Sequence, residues 1–188
     1  PHAVTAARAQ LGLKVFQGTL HEAQFTTGAF DAVVMWDVLE HVHDPAATLI
    51  EINRILAPDG VLIFRLPLLD AWEHRWFGRY WSGWDAPRHL TLFSRHTLGL
   101  MLARSGFRLE KMTCVSGSYL TFVLSLRFWA RDHLSARAQR WLRAILESLP
   151  ARLATAPFFY LVDRLQKGTA VTVVARPVDR IPPQSERT

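Results

Sequence analysis

Phe30-Asp31-Ala32-Val33-Val34-Met35-Trp36-Asp37-Val38-Leu39-Glu40-His41-Val42-His43-Asp44-Pro45 is the stretch that decides how this chain folds. Ala32 to Met35 is an apolar run of strand length. It passes straight into a polar turn bearing Asp37, Glu40 and His41. Asp44-Pro45 then opens a helix, with aspartate as N-cap and proline at the first helical position. A polar cluster at the carboxyl end of a strand lies where open α/β sheets bind their ligands.

The helix from Pro45 to Ala57 sets Leu49, Ile52 and Leu56 on one face, with Ile55 beside them and Glu51 and Arg54 elsewhere. Pro58-Asp59-Gly60 supplies a tight turn. Val61 to Leu66 follows as an almost wholly apolar strand, the kind covered on both faces. Strand, helix, strand in this order calls for parallel pairing through a right-handed crossover. Upstream, Val4, Ala7 and Leu11 have helical spacing and Gly12 is a stop, after which Lys14-Val15-Phe16 is a short strand leading to Gly18-Thr19-Leu20. Downstream, residues 67–93 read as irregular and aromatic-rich, with Trp72, Trp76, Phe77, Tyr80, Trp81 and Trp84. Ser94 caps a helix to about Ser105, Gly106 ends it, and Phe107 to Thr113 is the next strand. Residues 119–165 are helical with a break near Pro150, and Val171–Ala175 is the last strand. The spans 1–176, 119–165 and 177–188 are thus a single partial domain, a helical insertion or lid within it, and a flexible polar tail.

A chain of 188 residues, 49% apolar and 20% charged, has the means to build one soluble core. The net charge of +6 rests on arginine, 19 of the 22 basic residues, spread along the chain without dense basic runs. No nucleic-acid partner is expected from such a pattern. Cys114 stands alone, which rules out an internal disulfide and a cysteine-cluster metal site and suits a small buried hydrophobe in a reducing compartment. With neither a secretory signal nor an apolar run of membrane-spanning length in view, the expected location is cytoplasmic. The start at Pro1, within a helical pattern and without methionine, reads as a fragment of a longer domain.

In order and spacing these pieces resemble class I S-adenosylmethionine-dependent methyltransferases. On that resemblance, Gly18-Thr19-Leu20 follows the third strand and contacts the adenine, while Phe30-Asp31 opens the fourth strand. The turn with Trp36 and Asp37 then touches the methionine end of the cofactor. Leu56-Ala57-Pro58-Asp59-Gly60-Val61-Leu62 is similar to the family's turn before the fifth strand. Asp85-Ala86-Pro87-Arg88-His89-Leu90, with Phe93-Ser94, resembles a signature of a small bacterial subset akin to quinone-biosynthesis methyltransferases. The resemblance implies an α/β, Rossmann-like fold of sheet order 3-2-1-4-5-7-6, with Val171–Ala175 antiparallel between Val61–Leu66 and Phe107–Thr113. It also implies S-adenosylmethionine as cofactor and methyl transfer to an oxygen or carbon of a ring, sugar or lipid-like small-molecule acceptor. The family's glycine-rich loop and ribose-binding acidic residue would precede Pro1. The first two strands are therefore expected to be missing, and residues 1–188 alone are expected to bind the cofactor poorly and to be inactive.

Each candidate residue has a structural alternative. Gly18, Thr19 and Leu20 line the adenine or form an ordinary strand exit; Trp36 and Asp37 border the cofactor, and Asp37 with Glu40 also makes a capping-box-like pair. The catalytic candidates are His89, Asp85, Arg88 and His41. Histidine changes charge near neutral pH, so His89 suits a base for a hydroxyl acceptor, and Arg88 holds an acidic substrate group or pairs with Asp85. The alternatives are a rigid Pro87 turn pinning a lid, and, for His41, a hydrogen-bonded structural role inside its own turn. Glu40 is read as satisfying backbone donors. No metal set is expected, because His41 and His43 project apart and His89 and His96 are seven residues apart. The aromatic run is a lid with its own small core, or a platform for a flat acceptor. Leu134, Ala138, Trp141, Leu142, Ile145 and Leu149 form a stripe that packs over the sheet and substrate mouth, with peripheral membrane contact through 119–149 as the alternative. Two other functions compete with methyl transfer: a non-catalytic binding or scaffold module of the same fold at a membrane surface, and a nicotinamide-dependent Rossmann enzyme, which the late inserted strand fits less well.

Overall fold

The computed structural model describes residues 2–114 and 117–178. In chain order the elements are α1 (His2–Leu11), β1 (Phe30–Trp36), α2 (Pro45–Ile55), β2 (Leu56–Pro67), α3 (Trp72–Phe77) and α4 (Arg95–Arg104). β3 (Phe107–Thr113), α5 (Ser118–His133), α6 (Ala136–Glu147), α7 (Leu149–Arg164) and β4 (Ala170–Pro177) follow. The strands form one sheet in the order β1-β2-β4-β3. β1 and β2 are parallel, Met35 beside Phe64, and joined through α2. β4 lies antiparallel to both β2 and β3, with Phe64 beside Val173. This is the expected insertion of the last strand, and the mixed α/β sheet is the Rossmann-like one.

One face of the sheet carries the core. Met35, Leu62, Phe64, Leu66, Val171 and Val173 pack there against Leu49 and Ile52 of α2 and Leu98 and Leu102 of α4. Local chemistry sets the two helices. The Asp44 carboxylate accepts the Ala47 N–H at 2.8 Å with Pro45 behind it, and Ser94 and Thr97 cap α4 reciprocally. Asn53 donates to the Gly106 carbonyl at 2.8 Å, tying α2 to the end of α4, where Gly106 takes φ +78°. The other face of the sheet is open: Ala32, Val34 and Trp36 of β1 are exposed, and Val61, Ile63 and Arg65 of β2 are half-buried. The expectation that β2 is covered on both faces is therefore corrected to one, and its alternating burial shows it.

Four other expectations change. Lys14-Val15-Phe16 forms no strand; with no neighbour to complete a ladder, Phe16 is exposed and the Val15 carbonyl is taken by the Arg8 guanidinium. Pro58-Asp59-Gly60 does not separate α2 from β2 but lies inside the strand, where the register with β1 shifts between Phe30 and Ala32. Residues 67–93 are ordered rather than irregular: α3 is followed by 3-10 turns at Gly78–Tyr80 and Ser82–Trp84. Pro177 closes β4 instead of opening a tail, and the remaining tail residues from 179 onward lie outside the described residues. The break in the long helical segment is found where expected: Ser148 caps α7, with Pro150 in its first turn.

Candidate functional site

At the end of β1 the backbone turns sharply, with Asp37 at φ +52°. Its N–H donates to the Arg65 carbonyl at 3.0 Å, and its carboxylate is gripped by the Arg65 guanidinium, Nε to Oδ1 at 3.1 Å and the terminal nitrogen to Oδ2. The same guanidinium stands 5.9 Å from the Trp36 ring. Trp36 and Asp37 thus leave the sheet on the same rim as the Leu66–Pro67 exit of β2, the rim at which such folds bind ligands. Arg65, a lone charge near the end of an apolar strand, is the signal in the sequence that would have pointed here.

The 3-10 turn Leu39–His41 comes next. Leu39 is fully buried in the core, and it draws Glu40 in with it, leaving that residue 1% exposed. Neither carboxylate oxygen of Glu40 has a hydrogen-bond partner among the described residues. Burial pushes this carboxyl above the usual range, against the pull of its own backbone N–H and of His41 and His89 nearby. The main chain of Glu40 makes the well-formed hydrogen bonds here: its carbonyl accepts the N–H groups of Leu90 and Thr91, at 2.8 and 3.2 Å. The capping pair of Asp37 and Glu40 is not formed either, since Val38 occupies the N-cap and Asp37 is held by Arg65.

These two backbone bonds bring the Asp85–His89 turn onto the end of β1. Asp85, at φ +32°, accepts the Arg88 and His89 N–H groups at 2.8 and 3.3 Å through its carbonyl. Its carboxylate pairs with Arg88 at 2.5 Å, and the Arg88 side chain is otherwise 75% exposed. Arg88 therefore braces the turn. The His89 Nδ1 lies 2.8 Å from the Gly83 carbonyl, and because a carbonyl only accepts, that nitrogen carries the proton. Nε2 is left facing Glu40 Oε1 at 4.0 Å and Asp85 Oδ2 at 3.8 Å. His41 is fixed in the same manner, Nδ1–H to the Arg88 carbonyl at 2.8 Å, so its partner lies in the distant turn and not in its own. The two imidazole rings are 4.8 Å apart.

Glu40, His41 and His89 thus converge, a cluster of possible ligand atoms within 4.8 Å of one another. Pairing histidines by sequence distance does not find it, because it is made by a contact across 48 residues. Two donors on one zinc ion, each about 2.1 Å away, can be no more than about 4.2 Å apart. The His89–Glu40 pair at 4.0 Å would have to close to share an ion tetrahedrally.

A cavity of about 210 Å³ opens beside this cluster, lined by Asp37, Glu40, Arg65 and His89 and, from α5, by Leu120 and Thr121. Pockets that enclose drug-sized ligands run from roughly 300 to 1,000 Å³. The cavity therefore fits an acceptor, or one end of a cofactor, and not a whole dinucleotide-sized ligand. Gly18, Thr19 and Leu20 are not in its lining. Thr19 donates its N–H and Oγ–H to the Glu22 carboxylate at 2.6 and 2.9 Å and accepts the Glu22 N–H at 3.3 Å, closing a capped turn, and Leu20 packs on the core. Glu22 is held below the usual carboxylate range by these bonds.

Behind the cavity lies the aromatic segment, and it is mainly scaffold. Trp81 is 1% exposed and donates Nε1–H to Thr169 Oγ1 at 3.1 Å; Trp72 stacks on Phe122 with centroids 5.9 Å apart. Glu73 of α3 is fully buried there, and burial pushes its carboxyl up to about 7, with Thr169 and Trp72 pulling the other way. Cys114 is buried as expected, its thiol pushed up by burial.

A methyltransferase-domain family matches residues 3–112, more than half of the chain. No curated protein matches it in sequence. Among solved structures, an S-adenosylmethionine-dependent methyltransferase of Thermotoga maritima is 17% identical with a TM-score of 0.57, covering 93% of this chain and 68% of that one. A geranyl diphosphate C-methyltransferase of Streptomyces coelicolor is 14% identical with a TM-score of 0.53, covering 94% and 59%. The cyclase SpnF, 19% identical with a TM-score of 0.50 over 94% and 61%, has the same fold under a different name for its reaction. The chain spans about three fifths to two thirds of these proteins, and at such identities the likeness is one of fold. With β4 inserted antiparallel between β2 and β3 and the family match running through the Asp37–Glu40–His89 rim, this chain belongs to the methyltransferase-domain family, whose methyl donor is S-adenosylmethionine.

Proposed function

We propose that the protein transfers a methyl group from S-adenosylmethionine to an oxygen or carbon of a small-molecule acceptor, and that residues 1–188 carry the acceptor side of that site. The observation that carries this reading is the orphaned Glu40 carboxylate facing His89 Nε2 at the rim of the cavity. Burying a carboxylate without partners costs free energy, and at Glu40 that cost falls beside a histidine at the rim of a cavity. The donor supplies an electrophilic methyl on a sulfonium. The chain's own part is to seat the acceptor and to take its proton where the acceptor is a hydroxyl.

Roles follow from the hydrogen bonds. His89 is the proton acceptor, because Gly83 fixes its tautomer and turns Nε2 to the cavity. Asp85 and Glu40 flank that nitrogen and favour the imidazolium once formed. His41 and Arg88 position the turn. Trp36 and Asp37, on the same rim, meet the methionine end of the donor; Asp37 is preset there by Arg65. Gly18, Thr19 and Leu20 keep the adenine side as a proposal, with the main chain of the capped turn as the contact. An acidic acceptor group would be met by Arg65, which lines the cavity, in preference to Arg88. A cytoplasmic location is part of this reading.

The test is His89→Ala in the full-length protein. Turnover is expected to fall by about 10²–10⁴-fold, with donor affinity by calorimetry within about threefold of the parent. Parental turnover would retire His89 as the base. Residues 1–188 alone should bind the donor far more weakly than the full-length protein, and equal affinity would refute the assignment of only the acceptor side to this segment.

A further inference from the structure

α6 is strongly two-sided, yet not one of its residues is buried. Trp141 and Ile145 on α6, Leu149, Leu153 and Leu161 on α7, and Leu165 just past its end are each more than half exposed. Monomeric proteins seldom leave this much apolar side chain in water on neighbouring helices. The flanking charge is one-sided. Residues 136–165 hold five arginines and two acids. Of those acids, Glu147 is already shared by Arg143 at 2.9 Å and Arg127 at 3.9 Å, and Asp163 accepts the Ser118 hydroxyl.

Between α5 and α6 lies a second cavity, of about 480 Å³, within the range of ligand sites. Its floor is apolar, with Leu124, Phe128 and Leu142, and Arg127, Arg131, Arg140 and Arg143 ring it. Arg131 meets Asp132 at 3.5 Å, while Arg140 has no paired acid among the described residues. Guanidinium groups over a hydrocarbon floor match a phosphate carried on an acyl chain. No helix is long and apolar enough to cross a membrane. At about 1.5 Å per residue, α6 spans well under the hydrocarbon thickness of a bilayer and would lie along its surface.

We infer that α6 and α7 dock this protein on an anionic lipid bilayer, with the arginine-ringed cleft between α5 and α6 receiving a phospholipid headgroup. The partner is a membrane because large apolar side chains of α6 and α7 stand in water on the helices that carry an excess of arginine, and a lipid surface offers hydrocarbon and phosphate together. The arrangement also bears on the site already described. Leu120 and Thr121, on the same α5 that walls the cleft, line the acceptor cavity, so a protein seated this way holds that cavity close to the lipid phase.

Flotation of the full-length protein with phosphatidylcholine vesicles, with and without phosphatidylglycerol, tests this. Binding is expected at least tenfold stronger to the anionic vesicles and weakened by salt. The double variant Trp141→Glu/Ile145→Glu removes the apolar contact at exposed positions that leave the fold intact, checked by circular dichroism; Arg140→Glu/Arg143→Glu reverses the cleft. Each should lower vesicle binding by tenfold or more. Equal binding to both vesicle types overturns the inference, as does parental binding by either variant. So does full competition by inorganic phosphate, which would mark a soluble anion as the ligand. A dimer that Trp141→Glu/Ile145→Glu converts to monomer, with no vesicle binding by the parent, would assign the strip to a second copy of the chain and overturn it equally.

Discussion

The sheet and the helical cap use apolar residues in opposite ways. On the sheet, Leu62, Phe64 and Leu66 are wholly buried between α2 and α4 and the neighbouring strands. On α6, residues as large as Trp141 and Ile145 face solvent. The first arrangement holds the backbone firmly, because a close-packed interior tolerates little displacement. The second contributes little to folding and is available for contact. The site lies at the seam between the two, with Asp37, Glu40 and Arg65 delivered by the rigid half and Leu120 and Thr121 by the cap.

If that division is right, truncation should be costly on one side and almost free on the other. Phe64→Ala, at the centre of the sheet, is expected to lower unfolding free energy by about 3–5 kcal/mol. Urea denaturation of the full-length protein measures it, and a loss below about 1 kcal/mol would mean that the sheet is not the stable half.

Glu73 sharpens the comparison, being a buried carboxyl on the cap side with its pKa pushed up to about 7. The folded protein holds a proton there at pH values where the unfolded chain, near its ordinary value of about 4.3, has released it. Its contribution is therefore most favourable below about pH 4, declines as pH rises towards about 7, and is level above that. Glu73→Gln should then stabilise the protein on the order of 3 kcal/mol at pH 8 and scarcely at pH 4. Equal gains at the two pH values, or none at pH 8, would show that the carboxyl is not held protonated by burial.

Removing the aspartate cap of α2 is a smaller perturbation on the rigid side. Asp44→Ala should cost about 1 kcal/mol, read by the same denaturation curve. The smallest effect belongs to the cap: Trp141→Ala is expected to change stability by less than about 0.5 kcal/mol. A loss of several kcal/mol would place Trp141 inside a core in solution and remove the contrast with Phe64.

Much of the frame was legible in the sequence. Period and punctuation placed α2, β2, α4, β3 and β4, since caps such as Asp44-Pro45 and Ser94 and the apolar runs of β2 and β4 act locally or through simple burial. The antiparallel insertion of β4 followed from the family resemblance and was found as expected. Lys14-Val15-Phe16 had a strand's composition, but pairing is a property of a neighbour and not of three residues, so no ladder formed. The one-sided cover of β2 likewise depends on which elements pack above it, and an all-apolar run cannot report that.

For the candidate site, the polar turn leaving β1 drew attention to Asp37 and His41, and the family resemblance added Asp85, Arg88 and His89, with Gly18, Thr19, Leu20 and Trp36 for the cofactor. The sequence by itself could not distinguish among their roles. Tertiary contact decided that Arg88 braces Asp85, that the Gly83 carbonyl holds His89 Nδ1, and that the buried Glu40 carboxylate faces His89, through a backbone pairing with Leu90 and Thr91 that no local pattern encodes. It also decided that the amphipathic α6 is at most half-buried along its length. Periodicity reveals that a helix has an apolar face, and only the packing of the whole chain settles whether anything within that chain covers it.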